Sequence, residues 1–158
     1  MSSYPPTGLR RFAYKAPVWL YRANLGFLFG HRYVQVVTTG RKSGRDRDTV
    51  LEVVEYHARA GKLVVISGWG GRTDWYRNLK AGPALVLRLG TRRFPSPPHR
   101  FLDTGQTAMM LDRYRRAHPW AWRLLARGYE VDRVPTADQL DRAAAQVRGV
   151  VFDLPPRG

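Results

Sequence analysis

The sequence predicts an α+β fold built on a small antiparallel β-barrel with peripheral helices. Short apolar or alternating stretches follow one another in runs joined by tight turns, which is typical of antiparallel strands. Helical patterns are inserted among and after these runs instead of alternating with them, so a parallel sheet is not expected. About six short strands would suffice for a small barrel, either closed or split.

The clearest element is an opening hairpin over residues 33–56. Apolar and polar side chains alternate before Gly40, and a second β run covers residues 49–56. Gly40 and Gly44 bound the loop between them, as is common in antiparallel hairpins. Further strands are expected over residues 63–67, 84–89, 92–94, 99–102 and 150–154.

Four helices are expected after the hairpin, and three of them are preceded by a residue type that caps helices. They cover residues 75–81, 104–118, 120–127 and 137–148. The N-cap candidates are Thr73 or Asp74 for the first helix, Asp103 or Thr104 for the second, and a capping box at Thr136 for the fourth. Gly128 and Gly149 are interpreted as the stops of the last two helices.

Residues 1–158 are expected to form a single domain, because this length supports one ordinary core. Residues 9–29 have an apolar face with basic residues mostly off it, which predicts an N-terminal helical segment kinked at Pro17. The N-terminal residues have no signal-peptide apolar core, so a cytoplasmic location is expected. The helical segment either covers the barrel or lies on an anionic membrane, which would place the protein peripherally at the inner membrane surface.

The chain is strongly basic, with 27 Lys and Arg residues against 12 Asp and Glu residues and a net charge of +15. Such an excess attracts polyanions but does not specify a fold. No nucleic-acid recognition motif accompanies it, so a specific nucleic-acid partner is not expected. The sequence has no cysteine and its four histidines show no ligand spacing, so no metal site is expected.

The hairpin loop, residues 40–44, concentrates donors at one tip: Arg41, Lys42, Ser43 and the backbone N–H groups. Successive N–H groups in a glycine-bounded turn can form an anion-binding concavity. Arg and Lys add charge-assisted hydrogen bonds to phosphate or carboxylate. On its content alone, the loop is either an anion site or a solvated turn.

Two segments resemble the deazaflavin-dependent nitroreductase family. TTGRKSGRDRDTVL, residues 38–51, is similar to that family's TTGRKSG segment with its later Arg and Leu. ISGWGGRTDWYRNLKAGP, residues 66–83, is similar to the family's strand, glycine-rich loop and WYxNLxAxP helix. The resemblance covers roughly residues 33–94, and both motifs occur in the family's order.

This resemblance implies a split barrel like that of flavin-binding oxidoreductases. It also implies an 8-hydroxy-5-deazaflavin coenzyme (F-420), whose phosphodiester and oligoglutamate tail is anionic. The residues implied at the phosphate region are Thr39, Arg41, Lys42, Ser43 and Gly44. Those implied near the ring are Ser67, Gly68, Trp69, Trp75, Tyr76 and Asn78.

The function implied is hydride transfer from the reduced coenzyme to a small apolar acceptor that is conjugated or carries a nitro group. The cofactor supplies the chemistry, and the protein orients it and excludes water. Tyr129, Tyr76 and Ser67 are unranked candidates for the catalytic proton donor, beside water. A second copy of the chain is a further candidate partner.

Two alternatives share this fold and stay open. One is a split barrel that uses FMN as an oxidase or reductase. The other is a non-enzymatic protein that binds a lipid or fatty acid, using residues 9–29 and the positive charge.

Overall fold

The computed structural model describes residues 32–67 and 70–157. The predicted helical segment 9–29 lies outside the described residues. Seven strands are described: β1 (Tyr33–Thr39), β2 (Asp46–His57), β3 (Lys62–Ser67), β4 (Ala84–Leu89), β5 (Arg92–Pro95), β6 (His99–Phe101) and β7 (Arg148–Asp153). Four α-helices are described: α1 (Asp74–Ala81), α2 (Thr104–Ala117), α3 (Pro119–Tyr129) and α4 (Ala137–Gln146). A 3-10 turn, Gly70–Arg72, precedes α1.

The strands form one sheet in the order β5-β4-β1-β2-β3-β7-β6. Every neighbouring pair is antiparallel, which confirms the predicted class of sheet. The predicted hairpin is β1 and β2, paired from Tyr33 opposite Glu52 to Thr39 opposite Asp46. The second strand begins at Asp46, before the predicted position 49, because polar residues next to the loop continue the pairing.

The sheet curls around a buried apolar cluster, which makes it a half-barrel. Side chains from distant positions in the strand order meet in this inner cluster, together with two from α1: Val34, Val36, Leu63, Val65, Leu87, Leu89, Phe94, Val150, Phe152, Tyr76 and Leu79. A flat sheet could not bring β5 and β7 into one cluster, since five positions separate them in the strand order. Curling removes these side chains from water, which is the main stabilising term of such a core.

Helices α2, α3 and α4 cover the opposite face of the sheet. Alternation along β3 separates the two faces, because Leu63 and Val65 enter the inner cluster while Val64 packs with the helices. Val54 and Val151 contribute to this outer cluster from β2 and β7. None of the described helices combines the length and the apolar content needed to cross a membrane.

The structure corrects two predicted helix stops. Helix α3 continues through Gly128 to Tyr129 and ends at Glu130, whose φ of 55° is left-handed. Helix α4 ends at Gln146, before Gly149, which lies inside β7. A Cβ on Gly149 would lie 2.7 Å from Leu102 Cδ1, so this glycine permits a close approach to Leu102 instead of ending a helix.

Tyr114 of α2, which belongs to the outer cluster, makes the free energy of unfolding depend on pH in the alkaline range. Its side chain is 4% exposed, and its hydroxyl donates to Glu52 Oε1 at 3.4 Å. Burial, followed by the Glu52 carboxylate, raises the pKa of Tyr114 from 10.0 to about 12. The folded protein therefore keeps the neutral phenol at a pH where the unfolded chain ionises it.

We expect the free energy of unfolding to fall between about pH 10 and pH 12 by about 2 kcal/mol through this group. This contribution is fully present below about pH 10, because both states then carry the neutral phenol. Urea unfolding of wild type and Tyr114→Phe across this range tests it. The phenylalanine variant should show the smaller decline, and parallel curves for the two proteins would contradict the prediction.

Candidate functional site

The hairpin loop has a fixed backbone shape. Gly44 N donates to Gly40 O at 2.8 Å, and Gly40 N donates to Arg45 O at 2.8 Å. Gly44 has a φ of +69°, a left-handed conformation that glycine adopts with little strain. A Cβ on Gly40 would lie 2.6 Å from Ser43 Oγ and 3.2 Å from Arg45 O. The turn itself therefore favours glycine at both ends of the loop.

Asn78 of α1 holds this loop through its side-chain amide. Its Oδ1 accepts from Arg41 N at 3.2 Å and from Arg41 Nη1 at 3.1 Å. Its Nδ2 donates to Thr38 Oγ1 at 3.2 Å, at the end of β1. Asn78 is 4% exposed and Thr38 is 1% exposed, so the bond between them is buried, whereas the two bonds from Arg41 are partly buried. The loop and α1 thus form one hydrogen-bonded unit, which we call the Asn78 clamp.

Arg41 is also paired with Asp74 at the start of α1. The Arg41 Nη1 atom lies 3.1 Å from Asp74 Oδ1, with the arginine side chain 21% exposed and the aspartate side chain 81% exposed. An ion pair with one partner so exposed contributes little stability. Its effect is to fix the direction of the guanidinium group beside the Asn78 clamp.

The donors left over at the loop are suited to an anion. The N–H groups of Gly40, Arg41 and Gly44 are used within the protein. Among the described residues, nothing accepts from the N–H groups of Lys42 and Ser43 or from the Lys42 ammonium. Ser43 Oγ accepts from Arg45 N at 3.3 Å, so its hydroxyl proton remains available. An ammonium, a hydroxyl and two adjacent N–H groups at an exposed turn match a phosphate or carboxylate.

The described part of the glycine-rich segment (residues 68–73), which is residues 70–73, is attached to the same helix. Ser67 Oγ and Thr73 Oγ1 lie 2.9 Å apart and share a hydrogen bond. Both residues are buried, at 2% and 7% exposure. Arg77 Nε donates to Gly71 O at 3.1 Å, which attaches the segment to α1 a second time. Predicted site residues Gly68 and Trp69 lie outside the described residues.

The two aromatic residues predicted near the ring differ in their surroundings. Tyr76 is 6% exposed and packs edge-on against Phe101, with ring centroids 5.2 Å apart. Trp75 is half-buried and packs edge-on against Tyr76 at 5.9 Å. Tyr76 is therefore an anchor of the inner cluster, whereas Trp75 keeps a surface that a ligand can contact.

Helix α1 brings together most of the predicted site residues. It carries Trp75, Tyr76 and Asn78, and it contacts the hairpin loop and the end of β3. Tyr129 is not part of this group. It belongs to the outer cluster on the opposite face of the sheet, where burial raises its pKa.

Sequence reasoning missed the roles of Thr38, Thr73 and Asp74. Thr38 appears in the sequence only as one position of an alternating strand. Thr73 and Asp74 were candidate N-caps, and Thr73 occupies the N-cap position without a side-chain cap bond. The Asp74 side chain bonds to Arg41, and the Thr73 hydroxyl bonds to Ser67. The sequence signal for these roles was that two adjacent residues could both cap the helix, although a helix needs only one cap.

The fold is that of a split-barrel protein, and its hairpin loop carries donors that have no partner among the described residues. A model of the F-420H(2)-dependent quinone reductase family matches residues 13–120 of this chain. The chain belongs to that family, and it is an oxidoreductase whose coenzyme is F-420. The predicted resemblance and the predicted coenzyme are thereby confirmed.

Solved structures show the same fold. One, described as an F-420-H2 dependent reductase (FDR-A), is 23% identical with a TM-score of 0.51, and the match covers 78% of this chain and 95% of that one. Another, described as a domain-swapped dimer, is 21% identical with a TM-score of 0.52 over 85% of this chain and 97% of that one. At these identities the similarity supports the split-barrel fold alone.

Proposed function

We propose that this F-420-dependent oxidoreductase binds the anionic tail of its reduced coenzyme at the hairpin loop and reduces a small apolar acceptor. The acceptor is conjugated or carries a nitro group, and a quinone is the first candidate because the family description specifies that reaction. The Asn78 clamp is the observation that carries the proposal. It holds the backbone of Arg41 in place while the adjacent donors of Lys42 and Ser43 stay unpaired among the described residues.

The proposed tail site consists of Thr39, Arg41, Lys42, Ser43 and Gly44. Lys42 supplies a charge without a described protein partner, and the exposed side chains of Arg45 and Arg47 add positive potential nearby. A rigid turn holds its donors without further ordering when the anion arrives, which favours binding. These properties suit a phosphodiester followed by several carboxylates.

The proposed ring site lies at the other loop held by α1. Trp75 offers a partly exposed aromatic face, and Ser67 offers a buried hydroxyl. When bound, the reduced coenzyme supplies a hydride, and the acceptor must also gain a proton. Of the predicted donors, Ser67 and Tyr76 belong to strand β3 and helix α1 of this site, whereas Tyr129 belongs to the other face of the sheet. Because Ser67 and Tyr76 are only 2% and 6% exposed, we propose that the proton comes from water.

Titration of the purified protein with the coenzyme, followed by deazaflavin fluorescence, tests the proposal. We expect saturable binding that weakens with salt, since exposed charge interactions are screened. Addition of a soluble benzoquinone should then oxidise one equivalent of reduced coenzyme per quinone. Parallel titrations with FMN and with a fatty acid serve as controls. Binding of either ligand without binding of F-420 would favour the corresponding alternative.

The location and the assembly proposed for the protein follow from its charge and its N-terminal segment. We propose a cytoplasmic protein of one domain that contacts the inner membrane surface peripherally through residues 9–29 and associates as a homodimer. The positive charge of the chain supports attraction to anionic lipid. Co-sedimentation with anionic and neutral vesicles, together with light scattering, separates membrane contact from dimerisation.

A further inference from the structure

We infer that a cavity at one open end of the half-barrel is a second binding site, which takes a small aromatic carboxylate. The cavity has a volume of about 490 Å³, within the range of about 300–1,000 Å³ that small-molecule sites occupy. Its lining combines Arg92, Arg93, Phe94 and Asp153 with four prolines. None of these residues belongs to the proposed coenzyme site, so the inference does not rest on the proposed function.

The cavity lies at the end of the sheet that is remote from the hairpin loop. Strand β4 begins at Ala84, opposite Thr38 beside the loop, and its last residue is opposite Arg92. Strand β7 has the same direction, because its last residue, Asp153, is opposite Lys62 at the start of β3. The end of β3 leads instead to the glycine-rich segment. The mouths of β-barrels are frequent ligand sites, and this mouth is separate from the one that the coenzyme is proposed to use.

Arg92 supplies an oriented guanidinium group to the cavity. Its Cζ atom lies 4.7 Å from the centroid of the Phe94 ring, and its Nη1 atom donates to Tyr56 Oη at 3.5 Å. A guanidinium has five N–H donors, so these two contacts leave most of them free within the described part of the chain. The side chain is half-buried, and no described carboxylate pairs with it. A half-buried cation without an acidic partner favours the binding of an anion.

The charge that lines the cavity is positive overall. Arg93 is exposed and has no partner among the described residues. Asp153 is the acidic residue in the described lining, and its carboxylate is already paired with Lys62 Nζ. The Asp153 charge is therefore compensated outside the pair of arginines. The planar guanidinium groups of Arg92 and Arg93 match the geometry of a carboxylate, which they can bind through two parallel hydrogen bonds.

The other walls of the cavity are apolar and rigid. Three of the four prolines lie in residues 95–98, where β5 leads to β6. Ser96 has a φ of 45°, which is uncommon for a residue other than glycine. Hydrogen bonds hold this segment, because Ser96 N donates to Leu85 O at 2.8 Å and Pro98 O accepts from Asp153 N at 2.9 Å. Proline rings offer no N–H donors and little freedom, so these walls suit an apolar ring better than a bare phosphate.

Titration of the purified protein with benzoate, followed by ligand-observed NMR, tests the inference. We expect saturable binding of benzoate. Benzamide keeps the ring without the charge, and acetate keeps the charge without the ring, so each should bind at least about tenfold more weakly. Absence of saturable binding up to about 10 mM benzoate would overturn the inference. Inorganic phosphate that binds as tightly as benzoate would overturn the assignment to an aromatic carboxylate.

Variants of the two arginines locate the site. Arg92→Met keeps an apolar stem and should weaken benzoate binding at least about tenfold, with Arg92→Lys intermediate because it keeps the charge without the planar fork. Arg93→Ala changes an exposed side chain without described contacts. It should weaken binding by about threefold or more without a change in melting temperature. Arg142→Ala, at an exposed position on α4, is the matched control and should stay within about twofold of wild type. Equal losses in this control would assign the effect to overall charge and overturn the inference.

The coenzyme titration separates this cavity from the proposed tail site. Arg92→Met should leave F-420 binding within about twofold of wild type, and the combined Arg41→Ala and Lys42→Ala variant should do the same for benzoate. If Arg92→Met loses as much affinity for F-420 as for benzoate, the cavity belongs to the coenzyme site and the inference is overturned. If wild type binds benzoate but no F-420, the proposed function fails while the second site stands.

Discussion

Replacing Asn78 with leucine is expected to lower the free energy of unfolding by about 3 kcal/mol and to abolish tight coenzyme binding. Leucine has nearly the same size, so the main change is the loss of the three bonds of the Asn78 clamp. Each of the two neutral hydrogen bonds contributes about 1 kcal/mol, the bond from the charged Arg41 guanidinium contributes at least as much, and the buried partners left behind add a desolvation cost. Thr38 is the partner most affected, because it is 1% exposed.

The functional loss follows from the same contacts. Without Asn78, the N–H group of Arg41 has no acceptor, and the hairpin loop is released from α1. The donors of Lys42 and Ser43 then have to be ordered by the coenzyme itself, which weakens binding. Urea unfolding measures the first effect and the fluorescence titration measures the second.

Asn78→Asp is the matched control. A carboxylate can still accept from Arg41, with added charge assistance, but it cannot donate to Thr38. We expect a smaller loss of stability than for Asn78→Leu if the carboxylate pairs with Arg41, and weaker coenzyme binding, because the added negative charge repels the anionic tail. If Asn78→Leu unfolds like wild type and binds coenzyme with unchanged affinity, the Asn78 clamp has no role in the site.

The combined Arg41→Ala and Lys42→Ala variant is expected to bind the coenzyme about 100-fold more weakly or worse. Hydrogen bonds to charged groups contribute about 1.5–3 kcal/mol each, and two such groups are removed. The salt dependence of binding should also become flatter, since the screened interactions are gone. Titration at low and high salt measures both quantities.

The single variants separate the roles of the two cations. Lys42 is exposed without a described partner, so Lys42→Ala should weaken binding without changing stability. Arg41→Ala also removes the bonds to Asp74 and Asn78, so it should reduce both coenzyme affinity and the free energy of unfolding. The control for net charge is Arg59→Ala with Arg142→Ala, two exposed arginines outside the site. If this control variant loses as much affinity, the effect belongs to overall charge and not to the hairpin loop.

Trp75→Ala provides a contrasting variant at the ring site. It should weaken binding while leaving the salt dependence as steep as in wild type, because the side chain is uncharged. A flattened salt dependence in this variant would contradict the division into a tail site and a ring site.

Local patterns were sufficient for most of the fold. The alternation before Gly40 and the turn residues after it predicted β1 and β2, because strand periodicity and glycine-bounded turns are short-range properties. Glycine was less informative where a distant residue decides its role. Gly149 resembles a helix stop in the sequence, yet its position in β7 depends on Leu102, which lies 47 positions earlier in the chain.

The sequence predicted the two motifs of the site, in residues 38–51 and 66–83, but not the hydrogen bonds that join them. The family resemblance supplied both Arg41 and Asn78, while their direct contact joins residues 37 positions apart. No periodicity predicts such a pair. The hydroxyl pair of Ser67 and Thr73 was also missed, because a threonine before a helix is ordinarily interpreted as its cap.

The shortness of α1 has a consequence for how the site comes into existence. A helix of eight residues is not stable in isolation, so α1 persists because its own Tyr76 and Leu79 pack into the inner cluster and because it is bonded to the two loops. Helix α1, the hairpin loop and residues 70–73 therefore form and open as one cooperative unit. Their protected amide protons should therefore share one free energy of opening in hydrogen exchange, and occupancy of either loop by ligand should raise that free energy in the other.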